Sequence, residues 1–382
     1  MLSYNAMPGN LILCPLAQKR SKTFLFALWI MIFFLGGLKG KELVIIDQDG
    51  AGPGGTDMQS LLLALKLPHI DIMGIIITSG DCWRDEGILH ALRLLEIAEK
   101  PAVPVIPGSV YPLVNSRRET EIREKLFGKL FYKGAWNAQY NGRYSHPPLF
   151  YYEDPFHPPV PIEGMPSVQK TEAAAVDFLI DAARNHPHEI TLISLGPMTD
   201  IALACKLHPE FPKLIKKLVF MGGSLNPATN DPEWAGNPRF EFNFFWDPEA
   251  AHIVLTSPWN DLEGYPTDAG LDTVMNDELI KAFEKGKDAI SQYLVKYAWK
   301  NQPLWDEIAV ACWANPSLIV KRTDLFIDVD IAHGASYGNT LSWQPGFEPT
   351  GAAKRAAIVK KIDSARFYRY FIETLQSQSP QK

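Results

Sequence analysis

A chain of 382 residues that is 46% hydrophobic and 21% charged has ordinary globular composition, with apolar material for one large core or two modest ones and no signature of disorder. Its 37 Lys and Arg against 43 Asp and Glu leave a net charge of -6, which argues against a nucleic-acid or anionic-membrane binder and for a small-molecule partner. Four cysteines, Cys14 near the start and Cys82, Cys205 and Cys312 widely spaced in apolar settings, form neither a disulfide framework nor a zinc pattern.

Near the N-terminus Lys19, Arg20 and Lys22 precede an uncharged apolar run at 23–35 that closes in Gly36-Gly37. This order of a basic and then an apolar segment reads as an export signal over residues 1–40, with a mature chain beginning between residues 36 and 42. The run is shorter than the roughly 20 apolar residues that span a bilayer comfortably. The expectation is therefore a periplasmic or secreted protein without stable membrane association, an uncleaved anchor being the alternative.

From residue 41 apolar strands alternate with amphipathic helices: LVIID, MQSLLLALKL, DIMGIIITSG, GILHALRLLEIAEK and AVPVIPG, then TEAAAVDFLIDAARN, EITLISLG, PMTDIALACKL, KKLVFMGG and DPEAAHIVLTS. The pattern predicts an α/β fold, an open and mostly parallel sheet flanked by helices, in one domain over 41–382. A stretch rich in Pro and aromatic residues at about 112–167 lacks periodicity and reads as a lid-like excursion. After it come a helix at EIAVACWA, a strand pair turning near His333-Gly334, and a terminal helix from about Ala352 to Gln376.

In open α/β sheets ligands bind beyond the carboxyl ends of the strands. The unusual polar clusters sit there: Asp47 and Asp49, Ser79-Gly80-Asp81, Leu195-Gly196-Pro197, and Met221-Gly222-Gly223. The first cluster, D-Q-D-G-A-G-P-G-G-T-D over 47–57, puts three aspartates behind a buried strand, an arrangement that an oxygen-liganded divalent cation offsets. Asp49 and Asp57 are the first candidate ligands, although Asp57 also suits a helix cap. In the second cluster Glu241 and Asn243 read as one face of a strand, a clamp for vicinal hydroxyls. The third opens an apolar helix with Asp306 after Trp305. A strand followed by D-x-D-G also suits a phosphohydrolase with Asp47 as nucleophile, but the rest of that pattern is missing.

Together these clusters resemble the nucleoside hydrolase family, the inosine-uridine preferring enzymes and their purine-specific relatives. The resemblance runs from about Leu43 to Leu318, through the aspartate-rich turn, L-G-P-M-T-D-I-A, F-M-G-G, E-F-N-x-x-x-D-P-E-A-A and the late aspartate. It implies calcium held by Asp49, Asp57, Asp306 and the carbonyl of Leu195, with Asp49 also the general base that deprotonates water for attack on the ribose anomeric carbon. It implies that Glu241 and Asn243 hold the ribose, that Asp81 adds a polar contact, that Asn230 or Asn237 supplies a further one, and that Asp47 steadies the turn from behind. A small nucleoside is the expected partner, and a homo-oligomer the expected assembly.

Two departures stand out. The aspartate turn is stretched, with Thr56 where the family has the first aspartate of a pair, so an inactive calcium-dependent nucleoside binder is the alternative. Trp305 replaces the histidine of pyrimidine-tolerant members, which resembles the purine-specific branch, where an aromatic ring stacks on the base. Trp83 or Trp136 is a candidate for the opposite face.

Overall fold

The computed structural model describes residues 40–136, 146–147, 151–350 and 354–377. The expected export signal and Cys14 lie outside them. Among the described residues no helix is long and apolar enough to cross a membrane.

The first half follows the alternation read from the sequence: β1 (Glu42–Gln48), α1 (Thr56–Lys66), β2 (Ile70–Ile77), α2 (Arg84–Ile97) and β3 (Val105–Pro107). Next come α3 (Arg117–Phe127), α4 (Ala175–Asn185), β4 (Ile190–Ser194), α5 (Thr199–Leu207), α6 (Phe211–Leu214) and β5 (Lys217–Met221). Two short helices, α7 (Pro232–Ala235) and α8 (Phe242–Trp246), precede α9 (Pro248–Leu255) and β6 (Leu262–Tyr265). The chain closes with α10 (Asp277–Phe283), α11 (Ala289–Tyr297), α12 (Trp305–Ala314), β7 (Ile319–Val329), β8 (Thr340–Trp343), β9 (Lys354–Ile362) and α13 (Ser364–Leu375).

The nine strands among the described residues form one sheet in the order β3-β2-β1-β4-β5-β6-β9-β7-β8. Pairing is parallel from β3 to β9, and antiparallel where β7 meets β9 and β8. Alternate residues of β1 face opposite layers, as the period of two requires. Val44 and Ile46 pack with Leu61, Leu92, Ala309 and Phe367 on one side, while Ile45 packs with Leu179, Ile201 and Val254 on the other. Strand order reverses between β1 and β4, so the crevice beyond their carboxyl ends is the topological switch point where such sheets take ligands.

Three expectations are corrected. The supposed terminal helix is β9 followed by α13. Asp363 separates them, accepting from the Arg366 N–H at 3.1 Å as a helix cap, and β9 pairs with β7 along most of its length, so pairing overrides the helical look of an Ala- and Lys-rich run. The excursion is not without regular structure: it carries α3, whose first turn is capped by Ser116 accepting from the Glu119 N–H. The stretch around Glu241 is not a strand. Glu241 caps α8, accepting from the Asn243 and Phe244 N–H groups, and this local capping outweighs the period-two pattern of its phenylalanines.

Candidate active site

Beyond β1 the chain turns sharply and enters α1, and the turn brings its carboxylates inward rather than into solvent. Asp49 is 2% exposed, and Asp57, in the first turn of α1, 3%. Asp57 does not cap its helix. Gly55 holds that position without a side-chain bond, while Asp57 Oδ2 accepts from the Ala51 N–H at 2.5 Å and so closes the turn. From the end of β2, the Asp81 N–H donates to Asp49 Oδ2 at 2.8 Å. One carboxylate oxygen from each of Asp49, Asp57 and Asp81 lies within 4.8 Å of the other two.

Asp306 arrives from the far end of the chain on α12. Gln48 fixes it: Nε2 donates to Asp306 Oδ2 at 2.9 Å, while Oε1 accepts from the Asp49 N–H at 2.8 Å. A single amide thus orients two carboxylates. Sequence reasoning passed over Gln48, whose only signal was a polar residue between two aspartates at the end of a buried strand. Asp47 does not steady the turn through hydrogen bonds. Both its carboxylate oxygens are buried without a hydrogen-bond partner among the described residues, and burial, reinforced by the charge of Asp200, raises its pKa.

Burial is also the main cause that raises the pKa values of Asp49, Asp57 and Asp306, followed by their neighbours' charges: Asp57 and Asp81 act on Asp49, Asp81 and Asp306 on Asp57, and Glu307 on Asp306. Such a cluster is unfavourable when ionised unless a cation stands among the oxygens. The surroundings leave room for compact oxygen ligation and little else: a Cβ on Gly80 would come within 2.2 Å of Asp49 Oδ2, and one on Gly196 within 3.0 Å of Oδ1. The donor set is carboxylate and carbonyl oxygen without sulfur or imidazole, which suits a hard divalent ion.

Asp49, Thr56, Asp57, Asp81 and Asp306 share one cleft with Leu195, Glu241, Asn243 and Trp305. Asn243 Nδ2 donates to the carbonyls of Leu195 at 3.0 Å and Met221 at 3.2 Å, pinning the loop after β4. A carbonyl oxygen has two lone pairs, so the Leu195 oxygen keeps one for a ligand. Glu241 accepts from the N–H groups of Gly223, Asn243 and Phe244. Burial nevertheless pushes its pKa up to about 7, against the lowering effect of those bonds. Thr56 lines the cleft and donates to Glu307 Oε2 at 2.5 Å, so the carboxyl missing at position 56 has a counterpart one layer behind.

Neither candidate asparagine lines this cleft. Asn230 is exposed, and Asn237 exchanges amide hydrogen bonds with Asn339 at 3.0 and 3.1 Å. Trp83 and Trp136 are likewise elsewhere, packed on Trp246 with ring centroids at 6.2 and 4.2 Å. The ring beside Trp305 is Trp234, edge-on at 6.0 Å. With Glu233, Phe131 and Tyr132 it completes the wall. Trp234 and Glu233 stand in a four-residue helix without periodicity, which gave the sequence no handle on them. Trp305 lines the cleft, and its indole N–H is buried without a hydrogen-bond partner among the described residues.

An open α/β sheet with a polyacidic cleft at its switch point defines a class of proteins that handle small polar ligands with the help of an ion. Within that class the sequence profile of the inosine-uridine preferring nucleoside hydrolases matches residues 44–369, and the chain belongs to this family of enzymes that act on N-glycosyl bonds. It is 28% identical to the pyrimidine-specific ribonucleoside hydrolase RihB of Escherichia coli, over 85% of this chain and 94% of that protein. It is 34% identical to uridine nucleosidase 1 of Arabidopsis thaliana, over 58% of this chain and 56% of that protein. Solved structures share the fold: a purine-preferring ribonucleoside hydrolase from Gardnerella vaginalis superposes with a TM-score of 0.66 at 22% identity, covering 88% of this chain and 98% of the other.

Proposed function

We propose that the protein hydrolyses ribonucleosides to free base and ribose in a calcium-dependent reaction that favours purines. The observation that carries this reading is the buried set of carboxylates at the switch point, too crowded to be ionised together without a cation. Asp49, Asp57, Asp306 and the Leu195 carbonyl would hold the ion, with Asp81 beside them. When bound, a hard divalent ion offsets the repulsion among these carboxylates and makes nearby water more acidic.

The chain's own groups do the rest. Asp49, fixed through its backbone by Gln48 and through Oδ2 by the Asp81 N–H, takes a proton from the attacking water. Glu241 and Asn243, both held by backbone groups, present carboxylate and carboxamide oxygens to the ribose hydroxyls. The anionic floor stabilises positive charge that builds on the sugar as the C1′–N bond breaks. The purine leaning rests on Trp305 and Trp234, two indoles in the wall, since a double ring overlaps more with such a surface than a single one does. Relatives include uridine and pyrimidine-specific enzymes as well as a purine-preferring one, so the base preference rests on Trp305 and Trp234.

A panel of purine and pyrimidine nucleosides assayed for free ribose, with and without EDTA, tests the reading. Inosine should be cleaved faster than uridine, and EDTA should stop both until calcium is restored. Binding of inosine without turnover would instead fit a nucleoside binder. The basic and apolar N-terminal segment supports export, and N-terminal sequencing after expression in a Gram-negative host checks it: an intact Met1 in a cytoplasmic fraction overturns it.

A further inference from the structure

The hydrolysis proposed above, on which this inference rests, sets a sugar on the acidic floor and a base against the indoles of the wall. Between the two stands a side chain that the mechanism has not used. Gln302 precedes Trp305 by three residues, is 2% exposed and lines the cleft. Its segment is laced into the fold from both sides. The Met275 N–H donates to the Gln302 carbonyl at 2.9 Å, the Leu304 N–H to the Thr273 carbonyl at 2.9 Å, and the Trp299 N–H to the Gly54 carbonyl at 3.2 Å.

The side chain reaches back to the start of α1, where Gln302 Oε1 accepts from the Thr56 N–H at 3.1 Å. A backbone N–H can only donate, so the atom that meets it is the oxygen, and the orientation of the amide is fixed. Among the described residues the side chain makes no other hydrogen bond. Nε2 and its two hydrogens are left for the cleft, and a deeply placed amide nitrogen is unfavourable until a ligand supplies an acceptor. Its position decides which acceptor that is. Gln302 is tied to Thr56, whose neighbour Asp57 belongs to the floor, and it leads through Pro303 and Leu304 into Trp305 on the wall. It therefore occupies the seam between sugar and base, where the glycosidic bond lies. An amide N–H is a donor and no ligand for a cation. On a nucleoside, the base acceptors nearest that seam are purine N3 and pyrimidine O2, each two bonds from the nitrogen that leaves the sugar.

We propose that Gln302 holds the leaving base, donating from Nε2 to the acceptor beside the glycosidic nitrogen, N3 of a purine or O2 of a pyrimidine. As the C1′–N electron pair passes to the base, that acceptor gains negative charge and the hydrogen bond strengthens. The amide keeps its hydrogens throughout, so the contact stabilises the departing base without transferring a proton. Purines and pyrimidines share this acceptor, so Gln302 serves either and the choice between them is left to the indoles.

The test pairs a change at Gln302 with a change of one substrate atom, with free sugar as the readout. Gln302→Glu keeps an oxygen for the Thr56 N–H and removes the donor, whereas Gln302→Leu removes both. Each should lower kcat/KM for inosine by about 10–100-fold, the range of a hydrogen bond to a group that gains charge. The same loss should appear with 7-deazainosine and 2′-deoxyinosine and nearly vanish with 3-deazainosine, which lacks the acceptor. Both variants should retain calcium in isothermal titration, which shows an intact floor. Unchanged inosine cleavage or lost calcium in Gln302→Glu, or equal losses on all four substrates, would mean that Gln302 only braces the turn at Thr56 and would overturn the proposal. A loss that vanishes with 7-deazainosine or 2′-deoxyinosine instead puts the contact elsewhere and overturns it too. Wild-type protein that frees no ribose from inosine, guanosine or uridine removes the hydrolase reading itself, an outcome read without any variant.

Discussion

On the floor of the cleft Asp49 and Leu195 come directly after strands of the central sheet, Asp57 stands in the first turn of α1, and the groups are tied by Gln48, Asn243 and the Asp81 N–H. On the wall Phe131, Tyr132, Glu233 and Trp234 stand on short or irregular segments, where Trp234 meets Trp305 edge-on and Asp231 caps α7. The floor is rigid because parallel strands leave little freedom to the residues that follow them. The wall stands outside the central sheet, on segments that sheet pairing does not fix. Chemistry common to a family belongs on the first surface, and choice of leaving group on the second.

Each prediction breaks or sharpens that contrast, beginning with the largest effect. Asp49→Asn is expected to cost about 10²–10⁴-fold in kcat for every nucleoside while nucleoside binding partly survives, because the amide cannot accept a proton. A near wild-type kcat would remove Asp49 as the base. Asp306→Ala should lose cation and substrate together, and normal metal content in that variant would take Asp306 off the list of ligands.

Gln48→Ala probes the floor from behind. It leaves every candidate ligand in place but frees two of them, so cation affinity should drop by about 10–100-fold, as when a group that orients a metal ligand is removed. Isothermal titration with calcium measures this, and unchanged affinity would mean that the strand ends alone position the carboxylates.

On the wall, Trp305→Ala should cost about one to two decades in kcat/KM for inosine, since stacking of a base on an aromatic ring is worth roughly 1–3 kcal/mol. The loss should be smaller for uridine, and Trp305→His should narrow the ratio between purine and pyrimidine further. Equal losses on both substrates would assign Trp305 to packing alone.

The smallest effect concerns stability. Burial pushes Glu241 up to about 7 and Glu307 up to about 8 from an ordinary 4.5. Between these limits the folded chain binds more protons than the unfolded one, so stability falls as pH rises. Cation-free protein should therefore show a Tm that declines from about pH 4.5 to 8, and calcium should flatten the decline. A Tm that rises over this range in EDTA would contradict the assigned protonation.

Much of the floor was legible from the sequence because apolar strands and the polar residues behind them sit side by side in the chain. Val44, Ile45 and Ile46 announce β1, and Asp49 follows at once. Strand β6 escaped notice because its four residues include Glu263 and Gly264, and only its neighbours β5 and β9 make it a strand. Glu241 was singled out, but its geometry was misread, since a helix cap is a matter of two hydrogen bonds that no periodicity reports. Trp234 and Glu233 gave no signal, because their place depends on where Trp305 lies, some 70 residues onward in the chain.

The bond from Gln48 to Asp306 spans 258 positions of sequence. A chain emerging from the ribosome carries Asp49 and Asp57 early but lacks Asp306 until most of the sheet has been synthesised, so the complete set of oxygens cannot exist in an unfinished molecule. Loading of the ion would then mark completed synthesis. On the proposed assignment, premature termination anywhere before α12 yields a polypeptide without one of the carboxylates that would hold the ion, whatever fraction of its strands has already paired.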